Sequence, residues 1–254
     1  MELIQAFLLG IIQGAAEWLP VSSSGHLALA QQLMGLQVPI AFDVLLHLGT
    51  LVAVMMYYRS RLLRIIYAIL QMNFKNEEGN IILFIIVGSI PTAIIGFAFH
   101  DFFESMFSSS FLIGIALILT GCILFATKFF KGKRKPNIID AVFMGIAQGL
   151  AVAPGISRSG WTISTGMIRG VEKEKATDYS FILSIPALIG ATLIEGRKIT
   201  FSSIEWGTVA VGVLAALLVG YVSIAILVRI VKKGNFHIFA LYCWAIGVLA
   251  IFAH

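Results

Sequence analysis

Charge is what this chain lacks most. Only 12% of its residues are Asp, Glu, Lys or Arg, about half the share of a soluble domain. With 59% hydrophobic residues and a mean hydropathy of +0.94, this scarcity excludes a water-soluble globular domain and predicts an integral membrane protein. Cysteine is nearly absent. Cys122 and Cys243 fall in apolar stretches, without metal-site spacing, and read as small buried hydrophobes. A basic leader is missing too: Glu2 precedes the first apolar run, so no cleaved signal peptide is expected. Net charge is +5, but the bases cluster between apolar runs. That is a topology signal, and no nucleic-acid partner is expected. The 254 residues suit a single membrane domain over 1–254, with no room for a separate soluble one.

What is present is a polar block inside an apolar stretch, and it occurs twice. Residues 10–26 read GIIQGAAEWLPVSSSGH and residues 145–161 read GIAQGLAVAPGISRSGW. Offset by 135 positions without a gap, the copies agree at Gly10, Ile11, Gln13, Gly14, Ala16, Ser22, Ser24 and Gly25. They differ in chemistry, because the first carries Glu17 and His26 and the second Arg158. Six other runs read as full spans, about 42–58, 81–99, 111–127, 178–195, 207–229 and 236–253. The two block regions, about 3–35 and 140–170, each begin as a helix that proline, glycine and serines then break. Backbone groups freed there cannot face lipid, so each region is expected to be a re-entrant hairpin. The plainer alternative is a spanning helix followed by a polar loop, but the matching break in both halves favours re-entry.

The expected fold is therefore an all-α polytopic membrane protein of six transmembrane helices plus two re-entrant helix hairpins. Three spans per half is an odd number. The halves, about 1–130 and 136–254, then form an inverted-topology repeat with a site at their interface. Segments 59–80, 128–140 and 229–235 are rich in Lys and Arg, whereas 100–110 has none and 196–206 is mixed. The basic segments fall on one side and are placed in the cytoplasm. Both termini then lie outside. Arg61–Leu70 reads as an interfacial amphipathic helix.

Gln13 and Glu17 are four apart and share a helix face. A carboxylate in such surroundings costs about 2–4 kcal/mol if unpaired, so Glu17 is expected to hold a metal or serve as a base near a phosphate. A Glu at a wet helix end is the bland alternative. Ser22, Ser23, Ser24 and Gly25 can cradle an anion or merely cap a helix. Ser23 can also act as a nucleophile with His26 nearby. His26 can move a proton or attack phosphorus itself. It stands above His47, His100, His237 and His254; His47, within a span near Asp43, is a weaker candidate. Arg158 lies between Ser157 and Ser159, with Thr162 close by. A guanidinium at that depth suits a phosphate bidentately; the alternative is a permanent pair with Glu17. Together these groups point to phosphoryl transfer, which is mostly positioning and electrostatics.

At these residues the chain resembles the undecaprenyl-diphosphate phosphatase family, also called the bacitracin-resistance protein family. The resemblance rests on Gln13 to Glu17, Pro20 to His26 and Pro154 to Thr162, and extends in length and motif order over the whole chain. It implies a membrane hydrolase that cleaves undecaprenyl diphosphate, a polyprenyl lipid, to the monophosphate and inorganic phosphate. Such an enzyme recycles the lipid carrier for cell-wall synthesis and confers bacitracin resistance. The resemblance implies a divalent cation, Mg²⁺ or Ca²⁺, held by Glu17 with Gln13, and a plasma-membrane site open to the outer face. Its essential acid, histidine and arginine correspond to Glu17, His26 and Arg158, and its candidate nucleophile to Ser23. Gln13, Ser22, Ser24, Gly25, Ser157, Ser159 and Thr162 are the expected substrate-binding residues. Many members have Glu at the position of Gln13. The attacking group (Ser23, His26 or water) stays open, and so does a homodimer. The rivals are a transporter or flippase for an anionic or polyprenyl-phosphate lipid, and a lipid-binding protein or channel that uses Arg158 only to dock charge.

Overall fold

The computed structural model describes residues 2–73, 76–196 and 205–252. Its helices are α1 (Leu3–Trp18), α2 (Ser23–Leu33), α3 (Ile40–Tyr57), α4 (Arg59–Leu70), α5 (Glu77–Ala98), α6 (His100–Met106), α7 (Ser110–Ala126), α8 (Ile138–Leu150), α9 (Arg158–Ile168), α10 (Lys173–Gly196), α11 (Trp206–Lys233) and α12 (Phe239–Phe252). No strand forms among the described residues; one isolated bridge joins Arg134 to Val171. The molecule is an all-α polytopic membrane protein. Lys75, His254 and most of segment 196–206 lie outside the described residues.

Each of the six expected spans coincides with a helix. By length and composition, α5, α7 with the turn Thr127–Phe129, α10 and α11 can each cross a bilayer. α3 does so only together with α4, which leaves it at 79°. α12 has just 14 residues, short of the ~20 of a full span. α11 runs on to Lys233, and Gly234, at φ +81°, turns the chain before α12 begins. α4 is the expected amphipathic helix: Arg61 and Arg64 pair with Asp178 and Glu78, while Leu63, Ile66 and Leu70 are exposed. Segment 100–110, expected only as a connection, contains α6, with Asp101 favourably placed in its first turn.

The repeated glycines are packing positions. α1 packs on α11, and α8 packs on α5. A Cβ on Gly14 would lie 2.7 Å from the Ala216 carbonyl oxygen, and one on Gly149 would lie 2.8 Å from Ile95 Cβ. Small residues let membrane helices approach this closely. Asn137 caps α8 by accepting from the Asp140 amide, and Asp140 accepts in turn from the Asn137 amide. Asp140 also accepts from Arg169 at the end of α9, at 2.7 Å. The two ends of the α8–α9 pair therefore lie together, with the break at their far tip. α2 folds back on α1 likewise, Leu27 packing with Ala6 and Leu9. Large apolar side chains such as Ile86, Ile90 and Ile94 of α5 are exposed, as a lipid-facing surface requires.

Candidate active site

The tips of the two helix pairs meet. Pro20 ends α1 and holds Leu19 extended. Ser22 follows at φ +70°, a rare conformation for a residue with a side chain. Its hydroxyl accepts from the Gly25 amide at 3.3 Å and from the Gly155 amide of the other tip at 3.0 Å. One serine thus caps α2 and joins the two loops. Ser157 caps α9 in the same way, accepting from the Gly160 amide at 3.1 Å. Ser159 Oγ donates to the Leu19 carbonyl at 3.3 Å and so returns the tie. Thr120 of α7 donates to the Gly155 carbonyl at 3.0 Å and accepts from the Ser157 amide and the Trp161 indole. Gly25 packs where a Cβ would lie 3.0 Å from the Gly155 nitrogen.

Glu17 is the centre of this contact. One carboxylate oxygen pairs with Arg158. The other accepts from Ser23 Oγ at 2.6 Å and Gln13 Nε2 at 3.1 Å. The side chains of Glu17 and Arg158 are only 6% and 13% exposed, so each charge needs the other. Arg158 also lies 4.9 Å from the Trp18 ring centroid, a cation–π contact. Among the described residues, three atoms here are buried and unpartnered: Arg158 Nη1 and Trp18 Nε1, both donors, and Gln13 Oε1, an acceptor. The site therefore holds hydrogen-bonding capacity of both signs that the protein does not fill.

The remaining candidates divide. No hydrogen bond joins His26 to Ser23 or Glu17. Its Nδ1 is 2.8 Å from the Ser22 carbonyl, and Nε2 is 2.8 Å from the Tyr242 hydroxyl. A carbonyl only accepts, so Nδ1 carries the proton and Nε2 the lone pair. Tyr242 also stacks on the ring, centroids 5.6 Å apart. Thr162 bonds Ser180 and the Arg158 carbonyl, and its hydroxyl thus holds α9 to α10. Ser24 stays near Ser22, Oγ to Oγ 3.4 Å. His47, ranked low in the sequence, comes closer to the centre than His26 does: Nε2 lies 3.7 Å from Glu17 Oε2. Its Nδ1 donates to the Asp43 carbonyl at 2.7 Å, and Gln31 binds the Asp43 carboxylate. Tyr242, Thr120 and Trp18 carried no sequence signal of their own. The one trace of the His47 cluster is that Asp43 falls on Asp178 at the same 135-residue offset.

Residues 6–249 match the family described as bacitracin resistance protein BacA. Among curated relatives, the protein named undecaprenyl-diphosphatase of Carboxydothermus hydrogenoformans is 43% identical over 98% of this chain and 96% of its own. Those of Halothermothrix orenii, at 39%, and Korarchaeum cryptofilum, at 38%, are also covered over 98% of their lengths. The motif residues, the meeting of the two tips and this full-length match agree, and the chain belongs to the bacitracin resistance protein BacA family.

Proposed function

We propose that this protein is a multi-pass phosphatase of the plasma membrane that hydrolyses undecaprenyl or a similar polyprenyl diphosphate to the monophosphate and inorganic phosphate. The observation that carries this reading is the convergence of Glu17, Ser23 and Arg158, with Arg158 Nη1 and Gln13 Oε1 buried and unpartnered. The terminal phosphate docks on Arg158 and the amino-terminal ends of α2 and α9. Ser23 Oγ attacks the terminal phosphorus while its proton passes to Glu17 Oε2. The bond from that phosphorus to the bridging oxygen breaks, and the lipid monophosphate leaves with the electron pair and takes up the proton. Water then attacks the phosphoserine. His26 Nε2 orients this water; Glu17 Oε2, the partner of Ser23 Oγ, accepts the water's proton and returns it to the departing Ser23 oxygen, and inorganic phosphate is released.

A divalent cation belongs to this proposal. Glu17, Gln13 Oε1 and Ser23 Oγ offer oxygen only, the donor type that Mg²⁺ and Ca²⁺ take, and Gln13 Oε1 is an orphaned acceptor. Glu17 and Gln13 would hold the ion, which when bound offsets charge on the diphosphate oxygens. The orientation follows from the basic loops, placed in the cytoplasm, with both termini outside and the site open outward. The halves 1–130 and 136–254 then form an inverted repeat. Pairings support this: α1 with α11 and α8 with α5 are equivalent, while α3 with α10 and α7 with α12 pair across the halves.

The test is phosphate release from a polyprenyl diphosphate by purified protein in detergent. Release is expected to stop with a chelator, return with Mg²⁺, and be absent in Glu17→Gln and Arg158→Ala. Full activity in either variant overturns the site. Movement of the lipid without hydrolysis favours the flippase reading.

A further inference from the structure

Two recesses open at the basic end of the bundle, and neither is lined by a residue of the site above. They differ in charge balance. The first, about 390 Å³, holds Arg61, Arg64 and Lys175. Each is matched by a carboxylate: Arg61 to Asp178 at 2.6 Å, Arg64 to Glu78 at 2.8 Å and Lys175 to Glu77 at 2.9 Å. The second, about 440 Å³, is lined by Lys128, Lys131, Lys133 and Lys173, with Glu172 its one acidic residue. Lys173 donates to the Lys232 carbonyl at 2.6 Å, capping the end of α11. Among the described residues, the Lys128 ammonium meets only the Phe125 ring. Lys131 and Lys133 have no ion pair or hydrogen bond among the described residues.

A topology signal accounts for lysines in a loop, but not for a loop folded into a wall. Here the loop is pinned. The Arg134 amide donates to the Gly170 carbonyl at 3.3 Å, and the Glu172 amide donates to the Arg134 carbonyl at 2.9 Å. Gly132 lies so close to the Gly170–Val171 backbone that a Cβ would collide with it. Phe130 in its lining is an exposed apolar side chain, and so are Phe129 and Ile238, the chain neighbours of lining residues Lys128 and His237. Basic pockets between transmembrane helices, beside such surface, suit phosphate-bearing lipid headgroups.

We propose that this recess binds the phosphate of an anionic phospholipid headgroup from the adjoining leaflet, with Lys131 and Lys133 as its unpaired cations. The site is independent of the hydrolytic reading. The experiment uses full-length protein in neutral detergent. Dioctanoyl phosphatidylglycerol, dioctanoyl phosphatidylcholine and inorganic phosphate are titrated separately, and bound ligand is read by native mass spectrometry. Phosphatidylglycerol is expected to bind, to weaken with salt, and to lose affinity on the order of tenfold or more in K131Q/K133Q. Both lysines are exposed, so the fold does not depend on them. R64Q removes one charge from the balanced recess and is expected to leave binding within about twofold of the parent, since exposed ion pairs contribute little. Unchanged binding in K131Q/K133Q, equal loss in R64Q, or equal binding of phosphatidylcholine overturns the site. Displacement of the lipid by equimolar inorganic phosphate overturns its assignment to a lipid.

Discussion

Replacing Arg158 tests the site through stability as well as chemistry. Arg158→Ala removes the guanidinium from Glu17 and from the Trp18 face. It leaves a carboxylate that is 6% exposed with Ser23 and Gln13 as its hydrogen-bond donors. Deleting one partner of a buried pair costs about 3–5 kcal/mol. The two surviving donors hold the loss near the lower figure, about 3 kcal/mol. For a chain of this size that corresponds to a melting temperature lower by roughly 6–12 °C. Glu17→Gln with Arg158→Ala removes both charges and keeps an acceptor for Ser23, so most of the loss is expected to return. Thermal unfolding of the detergent-solubilised protein by far-UV circular dichroism measures this, and phosphate release is expected to be absent in both variants. A single variant that melts with the parent would refute the buried ion pair. So would a double variant that melts as low as the single.

Two further outcomes follow from named contacts, and a third from the basic loops. Tyr242→Phe deletes the hydroxyl on His26 Nε2 but keeps the ring stack; phosphate release should fall about 2–10-fold at constant melting temperature, and an unchanged rate would remove Tyr242 from the positioning of His26. Gly155→Ala combines a φ of +91° with a Cβ 2.5 Å from the Ile113 carbonyl oxygen and should cost about 3 kcal/mol or more. Gly35→Ala, at φ +61° in open space, should cost only about 1–2 kcal/mol, and equal melting temperatures would refute the packing of the second tip. A cysteine at Lys131 in a Cys122→Ser background should react with an impermeant maleimide only in inside-out vesicles; reaction in intact cells would reverse the orientation.

The helical, polytopic fold was legible because apolar runs and their breaks are local properties. Repeated glycines, prolines and serines marked both tips before any contact was known. The turn after α3 was marked by Arg59, Ser60 and Arg61, which end the apolar run; the shortness of α12 was not legible, since the run continues apolar across its start. Within the site, residues on one tip were read well and partners on distant helices were not. His26 is three residues from Ser23, yet its position in the first turn of α2 carries its ring to Tyr242, 216 residues away. Thr162 is one turn beyond Arg158, but α10 packs on α9 and takes its hydroxyl through Ser180. His47 reaches Glu17 because α3 packs beside α1, which no spacing in the first block encodes.

Alignment of the copies explains why the duplicated frame makes one site rather than two. The positions they share do geometry: Gly14 and Gly149 pack helices, while Ser22 and Ser157, with Gly25 and Gly160, cap them. The positions that differ carry the carboxylate, the imidazole and the guanidinium. At the 135-residue offset, Ser23 and Arg158 are the same position, the first residue of α2 and of α9. Equivalent points on the two tips thus grip the two oxygens of a single carboxylate. The counterpart of that carboxylate is Val152, an exposed apolar residue, and the counterpart of His26 is Trp161, bound to Thr120. A second acid at Val152 would lie away from this buried junction, so restoring the missing residue would not by itself create a second site. One centre forms because equivalent positions of the two tips bring a hydroxyl and a guanidinium to Glu17, the one acid placed between them among the described residues.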